Sequence, residues 1–271
     1  MCSVILLRTP GATWPLVLAG NRDEMADRPW KAPGRHWPDR PNVVAGLDEL
    51  AGGSWMGLND EGLLAVALNR MGTLGPETGK RSRGELVLDA LDHADAADAA
   101  MALSHLDTRA YRPFHLVVAD NRDAFLLIHR GEGGRGEGGR GEGGRNRPDV
   151  LPIDEGVHML TAAELDDTDD PRIGFYLPLF RQSAQPDVNA AGPDSFGWGG
   201  WPELLGSRIW SDAHPERRER GAMSFRLPTG FGTVCSSLIA LPAIERPELK
   251  PIWHFAGGPP HATPFEPVAL R

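Results

Sequence analysis

Cysteine is scarce in this chain of 271 residues, where only Cys2 and Cys235 occur. Two cysteines cannot form the disulfide framework of a small secreted protein, and they fit a reducing compartment. No segment approaches the roughly 18 consecutive apolar residues of a membrane-spanning helix. The longest early apolar run, residues 4–7, is too short for the core of a signal peptide. The sequence therefore predicts a cytoplasmic protein with no membrane span.

Positive charge and metal-ligand patterns are equally limited. Lys and Arg number 28 and Asp and Glu number 37, which gives a net charge of −9. Excess negative charge disfavours binding to a phosphate backbone, so we expect no nucleic-acid partner. The nine histidines show no spacing typical of a zinc site, so we expect no metal. What remains is a soluble globular chain whose 41% apolar residues suffice for a sizeable core.

The start of the chain has the pattern of a β-hairpin. Residues 2–7 form an apolar run, Pro10-Gly11 signals a turn, and residues 14–18 form a second run. Removal of Met1 is expected because Cys2 is small, and it leaves a cysteine with a free α-amino group. That amine has an ordinary pKa of about 7.7–8.0, so it can take the proton of the thiol near neutral pH. The alternative is an ordinary buried cysteine at this position.

The second strand runs into four polar residues, Asn21-Arg22-Asp23-Glu24, which are costly to bury unless they are paired. The hairpin places them beside Cys2. Arg22 can stabilise a thiolate or hold a carboxylate of a ligand. Asp23 can position the α-ammonium group, and Asn21 can donate a hydrogen bond to a developing oxyanion. The alternative is a solvated turn with a local Arg–Asp pair.

Together with Cys2, this tetrapeptide resembles the NRDE family, which includes the transport and Golgi organisation protein 2 of eukaryotes. Further segments match in the same order along the chain, namely Gly52-Gly53-Ser54-Trp55-Met56-Gly57, Asn69 at a strand end, Ser82-Arg83-Gly84-Glu85-Leu86-Val87, and Phe231 to Leu241. The resemblance implies a single domain over residues 1–271. It also implies the N-terminal nucleophile hydrolase fold, an α+β four-layer αββα sandwich.

The resemblance extends to enzymes of the choloylglycine hydrolase and penicillin acylase group, which cleave carbon–nitrogen amide bonds with an N-terminal cysteine. It implies that Cys2 is the nucleophile and that Arg22 and Asp23 orient and tune it. Asn69 is expected to help hold the oxyanion of a small amide or acyl substrate. The predicted substrate-binding residues are Asn21, Glu24, Trp55 and Arg83, of which Trp55 alternatively belongs to the core.

Two positions depart from the family pattern. Many relatives have an asparagine after a late Leu-Ser or Leu-Thr pair, where this chain has Ala162 after Leu160-Thr161. Many also have an arginine after the Gly-Thr of the late strand, where this chain has Val234. The eukaryotic relatives are linked to secretory organisation and to intracellular haem movement. The alternative function is therefore a non-catalytic ligand carrier, in which Cys2 or a histidine contacts haem iron. An inactive descendant of the hydrolase fold is a third interpretation. A resident cofactor is not predicted.

Elsewhere, local patterns predict strand pairs followed by helix pairs, which suits an α+β layered fold. Ser82 and Glu85 have the spacing of a capping box ahead of an apolar run, which predicts the start of a helix. The predicted helices cover about 83–92, 95–106 and 172–181. The predicted strands cover 54–58, 63–68, 113–119, 124–129, 157–161, 234–241 and 251–256.

Two irregular stretches interrupt these elements. A threefold Gly-Glu-Gly-Gly-Arg repeat over 131–145 predicts a flexible surface loop inserted within the domain. Its glycines match a dinucleotide fingerprint by letters, but no helix pattern follows, so no nucleotide site is predicted. Residues 184–230 contain several prolines, glycines and tryptophans, and both a lid and a partner surface remain open for them.

Overall fold

A computed structural model describes residues 2–131, 146–184, 186–187, 197–214 and 218–270. The predicted loop at 131–145 lies outside these ranges except for its first residue. Within them, no helix is long and apolar enough to cross a membrane. The chain divides into two units, each described below by itself. Unit 1 comprises Met1–Arg28 and Glu155–Ala269, and unit 2 comprises Pro29–Asp154 and Leu270–Arg271.

The described residues form antiparallel strands and short helices. The strands are β1 (Ser3–Arg8), β2 (Leu16–Met25), β3 (Trp30–Gly34), β4 (Val43–Asp48), β5 (Met56–Asn59), β6 (Leu64–Asn69), β7 (Phe114–Ala119), β8 (Ala124–His129), β9 (Asp149–Pro152), β10 (Gly156–Leu160), β11 (Phe231–Leu241), β12 (Ile252–Ala256) and β13 (Glu266–Pro267). The α-helices are α1 (Gly84–Leu91), α2 (Ala96–Leu103), α3 (Pro171–Gln182) and α4 (Trp201–Leu205).

Unit 1 is a six-stranded sheet in the order β10-β1-β2-β11-β12-β13, and α3 and α4 pack against it. The hairpin predicted at the start of the chain is confirmed, because β1 and β2 pair with Ser3 opposite Asn21. Alternate residues of the strands, such as Ile5 and Ala19, are buried against the helices. β2 is a central strand, so its polar carboxyl-terminal half is flanked by β1 on one side and β11 on the other.

Described parts of the 184–230 region belong to the core of unit 1. Trp198, Trp201, Leu205 and Met223 are buried in the cluster that also contains the helix-facing residues of the sheet. The sequence pattern gave no sign of α4, because this helix has only five residues and carries Pro202 in its first turn. These described residues therefore contribute to the core of unit 1.

Unit 2 is a seven-stranded sheet in the order β3-β4-β5-β6-β7-β8-β9, with α1 and α2 packed against it. The strands predicted at 113–119 and 124–129 are confirmed as β7 and β8, which pair as a hairpin with Phe114 opposite His129. β3, β4 and β9 were not predicted. β3 and β9 are short edge strands with little buried surface, and such strands lack the alternation that signals a half-buried strand. β4 lies between β3 and β5, and its first four residues are all buried, so it lacks this alternation as well.

The capping box predicted at the start of α1 forms only in part, because the reciprocal bond from Glu85 is missing. The Ser82 hydroxyl accepts a hydrogen bond from the Gly84 backbone at 3.2 Å, and the Glu85 carboxylate pairs with Arg81 instead. The N-cap is Arg83, whose backbone is already helical and whose side chain makes no capping bond. The helix thus begins one residue later than a capping box on Ser82 requires.

Gly53 and Gly84 meet at a close backbone contact in unit 2. The Ser54 backbone donates a hydrogen bond to the Gly84 carbonyl at 3.0 Å. A β-carbon built on Gly53 would lie 2.4 Å from the carbonyl carbon of Gly84. Both glycines belong to the motifs that carry the family resemblance, and this contact gives them a packing role.

Replacing Gly53 by alanine is expected to lower the free energy of unfolding by about 1–3 kcal/mol, because the added methyl group collides with backbone that cannot rotate away. Urea denaturation measures the change. Gly257→Ala is the matched control, since Gly257 is exposed and its β-carbon would meet only ordinary contacts. Equal stability of the two variants would contradict the packing role.

His254 makes the stability of unit 1 dependent on pH. It is buried on β12, where Nδ1 accepts a hydrogen bond from Trp198 Nε1 at 3.2 Å. Burial lowers the pKa of His254 to about 4, whereas an unfolded chain has the ordinary value of about 6.5. Between these two values the unfolded state binds one more proton. The contribution of His254 to stability is therefore complete above pH 6.5 and is lost as the pH falls towards 4.

Wild type is expected to lose about 2 kcal/mol of unfolding free energy through His254 between pH 6.5 and pH 5. Urea denaturation at pH 7 and pH 5 tests this, and His254→Gln should reduce the difference by that amount. His105→Gln is the control, because His105 is exposed. If His254→Gln and wild type lose stability in parallel, another group causes the acid lability.

Candidate functional site

The structure brings Cys2 and Asp23 together, as the hairpin predicts. Cys2 is half-buried at the residue before β1, and its thiol donates a weak hydrogen bond to the Asp23 carbonyl at 3.8 Å. The register that pairs Ser3 with Asn21 places Cys2 beside the next residue of β2, Arg22. The start of one strand and the polar end of the next therefore form one local site in unit 1.

The four polar residues of β2 point alternately to the two faces of the sheet. Asn21 and Asp23 contact the helix side, through α4 and α3 respectively. Because successive side chains of a strand point to opposite faces, Arg22 lies on the face away from these helices. Its partner in the register on β11 is Cys235. This face thus carries Arg22 on β2 and Cys235 on β11, with Cys2 immediately before β1.

Asn21 holds the fold together on the helix side. Its Nδ2 donates to the Leu205 carbonyl at 3.0 Å and to the Met223 carbonyl at 2.9 Å. Its Oδ1 accepts a hydrogen bond from the Ser236 hydroxyl at 2.7 Å. Both amide hydrogens are therefore used. The predicted contact of Asn21 with a substrate or an oxyanion would require one of these bonds to break.

Asp23 forms a buried ion pair with Arg172, a residue that the sequence did not single out. Arg172 Nη1 lies 2.9 Å from Asp23 Oδ2, and both side chains are almost completely buried. Asp23 Oδ1 accepts a second hydrogen bond, from the Thr233 hydroxyl at 2.8 Å. Arg172 follows Asp170-Pro171 at the start of a predicted helix, and such a position usually predicts a solvent-exposed side chain. No local pattern indicated its partner.

The surroundings of Cys2 oppose ionisation of its thiol. Burial raises the pKa of Cys2, and the negative charge of Asp23 raises it further, while Arg22 acts in the opposite direction. Burial likewise raises the pKa of Cys235, and the Arg22 charge again opposes the shift. A neutral thiol at position 2 therefore dominates near neutral pH. Nucleophilic attack by Cys2 requires a base that takes its proton during the reaction.

Glu24 closes the polar stretch at the edge of the buried region. Its Oε1 accepts a hydrogen bond from the Met25 backbone at 2.8 Å, and its other oxygen lies 3.8 Å from Arg28. The Glu24 side chain is 18% exposed, and these local partners hold its carboxylate. Its predicted substrate contact stays a prediction.

The other three predicted site residues belong to unit 2. Asn69 ends β6 opposite Phe114, as predicted, and its half-buried side-chain amide has no hydrogen-bond partner among the described residues. Trp55 stacks edge to face on Trp30 at 5.9 Å and covers Gly46, where a β-carbon would touch the Trp55 ring. The geometry of Trp55 is that of a packing residue.

Arg83 anchors the loop that follows β6. Its Nη1 donates to the carbonyls of Thr73 and Pro113 at 2.9 and 3.0 Å, and to the Thr73 hydroxyl at 3.0 Å. These bonds hold the guanidinium against protein backbone. The predicted role of Arg83 in substrate binding stays a prediction.

The two departures from the family pattern lie next to the Cys2 site. Val234 sits at a bulge of β11, where the pairing with β2 shifts between Thr233 and Cys235. Ala162 follows β10, which pairs with β1. Among the described residues, no group of three or more His, Cys, Asp and Glu side chains has the geometry of a metal site.

Residues 1–185 match the family described as Transport and Golgi organisation 2. The chain belongs to this family. The Transport and Golgi organization 2 homolog of Mus musculus is 34% identical to it over 110 residues, which cover 39% of this chain and 38% of the relative. The human homolog is 33% identical over 110 residues with the same coverage. The match thus spans less than half the length of these family members.

Solved structures show the fold of this family member. A conjugated bile acid hydrolase from Clostridium perfringens, solved as a cysteine-to-alanine mutant, has a TM-score of 0.51 and 12% identity, covering 99% of this chain and 97% of the hydrolase. A second variant of that enzyme also has a TM-score of 0.51, with 14% identity, 98% coverage of this chain and 96% of the hydrolase. The predicted fold class, α+β of the N-terminal nucleophile hydrolase type, is confirmed.

Proposed function

We propose that this protein is a cysteine amidohydrolase that acts on a small amide or acyl substrate, with Cys2 as the nucleophile. The observation that carries the proposal is the setting of Cys2. Its half-buried thiol lies at the start of a strand, on the sheet face that also carries the Arg22 guanidinium, and Asp23 is anchored behind it. The Clostridium perfringens enzyme that shares this fold is a hydrolase of conjugated bile acids.

The proposed reaction begins with removal of Met1, which gives Cys2 a free α-amino group. The amine takes the thiol proton while sulfur attacks the carbonyl carbon. The carbon–nitrogen bond then breaks, and the ammonium group returns the proton to the leaving amine. Water, deprotonated by the same amine, attacks the resulting thioester and releases a carboxylic acid and the free thiol.

The raised pKa of the Cys2 thiol makes a base necessary, because burial and the Asp23 charge both favour the protonated thiol. An α-amino group with an ordinary pKa of about 7.7–8.0 has the strength to accept the proton near neutral pH. Arg22, whose charge favours the thiolate, also attracts negative charge that develops at the attacked carbonyl.

Asn69 remains the predicted oxyanion donor. Its amide is half-buried and has no hydrogen-bond partner among the described residues, so it is available to donate. Asn69→Ala is expected to lower kcat by about 10²–10³-fold and to leave KM nearly unchanged, because the bond forms in the transition state. Steady-state kinetics on an amide substrate measures this. A change confined to KM would assign Asn69 to substrate binding instead.

Intact mass and thiol labelling test the proposed function. The purified protein is weighed before and after treatment with iodoacetamide at neutral pH, and the modified residue is mapped by peptide analysis. Loss of Met1 with selective labelling of Cys2 over Cys235 supports the nucleophile. A panel of N-acyl nitroanilides then measures amide cleavage. Retention of Met1, or a thiol at Cys2 that does not react, would contradict the proposal.

The alternative is a non-catalytic carrier of a small ligand such as haem. The raised pKa of Cys2 disfavours nucleophilic attack without a base, and it equally disfavours a thiolate ligand to haem iron. Carriage predicts a Soret band on addition of haem that Cys2→Ala removes, together with no amide cleavage. Amide cleavage that requires Cys2 would contradict the carrier function.

A further inference from the structure

Arg172 is a buried cation at the first turn of α3, and its guanidinium makes contacts with three separate parts of unit 1. Nη1 donates to the Ser3 hydroxyl at 2.8 Å and to Asp23 Oδ2 at 2.9 Å. Nη2 donates to the Arg220 carbonyl at 2.7 Å, and the guanidinium carbon lies 5.3 Å from the centre of the Phe225 ring. A single side chain thus connects β1, β2 and the segment before β11.

The helix itself holds the backbone of Arg172 in place. Asp170 is the N-cap of α3, and its Oδ1 accepts hydrogen bonds from the backbones of Arg172 and Ile173 at 3.1 Å. Pro171 occupies the first helical position, where its fixed φ favours the helix. The guanidinium is therefore delivered to the sheet from a rigid element.

Two of the Arg172 contacts adjoin Cys2 directly. Ser3 is the next residue in the chain, and the Asp23 carbonyl accepts the hydrogen bond of the Cys2 thiol. Thr233 completes the arrangement, because its hydroxyl donates to the second carboxylate oxygen of Asp23. The Arg172 guanidinium thus binds both Ser3, which follows the nucleophile, and Asp23, whose carbonyl accepts the hydrogen bond of the Cys2 thiol.

Stability alone is a weak reason for such an arrangement. A buried ion pair loses the hydration of two charges, and apolar residues of similar volume often stabilise a protein as well or better. The pair of Asp23 and Arg172 is almost completely buried. A role at the neighbouring nucleophile would explain why this buried ion pair is present, whereas a gain in stability would not.

We propose that Arg172 is a positioning residue for Cys2: it fixes Ser3 and Asp23 on either side of the nucleophile and offsets the negative charge of the Asp23 carboxylate. The proposal rests on the proposed function of Cys2 as a nucleophile. Arg172 touches neither the thiol nor, in this scheme, the substrate.

The charged and titratable groups around the Cys2 thiol are few. The Asp23 carboxylate on β2 opposes the thiolate, whereas the amino-terminal ammonium group of the chain and Arg22 on β2 favour it. Cys235 on β11 is the other thiol in range. Arg172 on α3 acts through Asp23, whose charge opposes the thiolate. Loss of the guanidinium is therefore expected to strengthen that opposition and to make Cys2 harder to ionise.

The test is the pH dependence of Cys2 alkylation by iodoacetamide, measured without substrate and resolved from Cys235 by peptide mapping. In Arg172→Gln the midpoint is expected to rise by about one pH unit, which makes alkylation near pH 8 about tenfold slower. Arg172→Lys retains the charge and is expected to stay close to wild type. In the double variant Asp23→Asn/Arg172→Gln, the midpoint is expected at or below the wild-type value, because the opposing carboxylate is absent.

Cys235 provides the internal control in every sample. If Arg172 only stabilised the fold, its replacement would expose both thiols and speed the alkylation of Cys2 and Cys235 alike. The pH midpoint of Cys2 alkylation would then stay unchanged. An unchanged Cys2 midpoint in folded Arg172→Gln overturns the proposal. If Arg172→Gln does not fold, the double variant Asp23→Asn/Arg172→Gln is compared with Arg172→Lys. A higher pH midpoint of Cys2 alkylation in the double variant then overturns the proposal. Absence of amide cleavage by wild type would contradict the proposed function without altering these alkylation profiles.

Discussion

Cys2→Ala is expected to abolish amide cleavage and to leave the fold intact. Removal of a catalytic nucleophile typically costs on the order of 10⁴-fold or more in kcat. The structural cost is small, because Cys2 is half-buried and its thiol makes one weak hydrogen bond, to the Asp23 carbonyl at 3.8 Å. The free energy of unfolding should therefore change by less than about 1 kcal/mol. Steady-state cleavage of an N-acyl nitroanilide and urea denaturation measure the two effects.

Cys235→Ala is the matched control, and we expect the opposite pattern. Cys235 lies on the same face of the sheet but is buried in β11, so its truncation removes packed atoms. The expected loss of stability is about 1–2 kcal/mol, with cleavage within a few-fold of wild type. If Cys2→Ala keeps its activity while Cys235→Ala loses it, the nucleophile is assigned to the wrong cysteine.

Separating Asp23 from Arg172 is expected to cost about 3–5 kcal/mol of unfolding free energy, because either single substitution leaves an uncompensated buried charge. Asp23→Leu strands the guanidinium, and Arg172→Met strands the carboxylate. The double variant removes both charges and keeps apolar volume in their place. It should recover most of the loss, so the double-mutant cycle should show strong coupling.

Urea denaturation of wild type, both single variants and the double variant completes this cycle. The exposed pair of Arg109 and Asp107, whose atoms approach to 2.7 Å, is the control. Arg109→Ala, which leaves the Asp107 side chain in place, should change the free energy of unfolding far less than Arg172→Met does, because water screens an exposed pair. If the single variants are as stable as wild type, an uncompensated charge at Asp23 or Arg172 does not lower the free energy of unfolding.

Local sequence patterns were sufficient for several elements of unit 1. The apolar runs on either side of Pro10-Gly11 predicted the hairpin of β1 and β2, and the structure has it in a register that sets Ser3 against Asn21. The helix predicted over 172–181 is α3, in which Pro171 occupies the first helical position. Such features depend on residues that are neighbours in the chain, so a local sequence pattern is enough to predict them.

The edges of the sheets were beyond such patterns. β3 and β9 are short and mostly exposed, so neither alternation nor apolar content distinguishes them from loops. The helix α4 has five residues, fewer than two turns, and its stability comes from burial of Trp201 and Leu205 in the core of unit 1. Packing by distant residues decided these elements.

By itself, the sequence determined the composition of the candidate site: a cysteine at position 2 beside Asn21-Arg22-Asp23-Glu24 at the end of the neighbouring strand. Only the tertiary structure decided what each side chain does there. Because side chains alternate along β2, Asn21 and Asp23 face the helices and Arg22 faces the opposite side of the sheet. The side-chain amide of Asn21 donates both of its hydrogens to backbone carbonyls. Arg172 reaches Asp23 across 149 positions of chain. A buried charge is stable only beside its counter-ion, and a partner so distant in sequence is found only by folding.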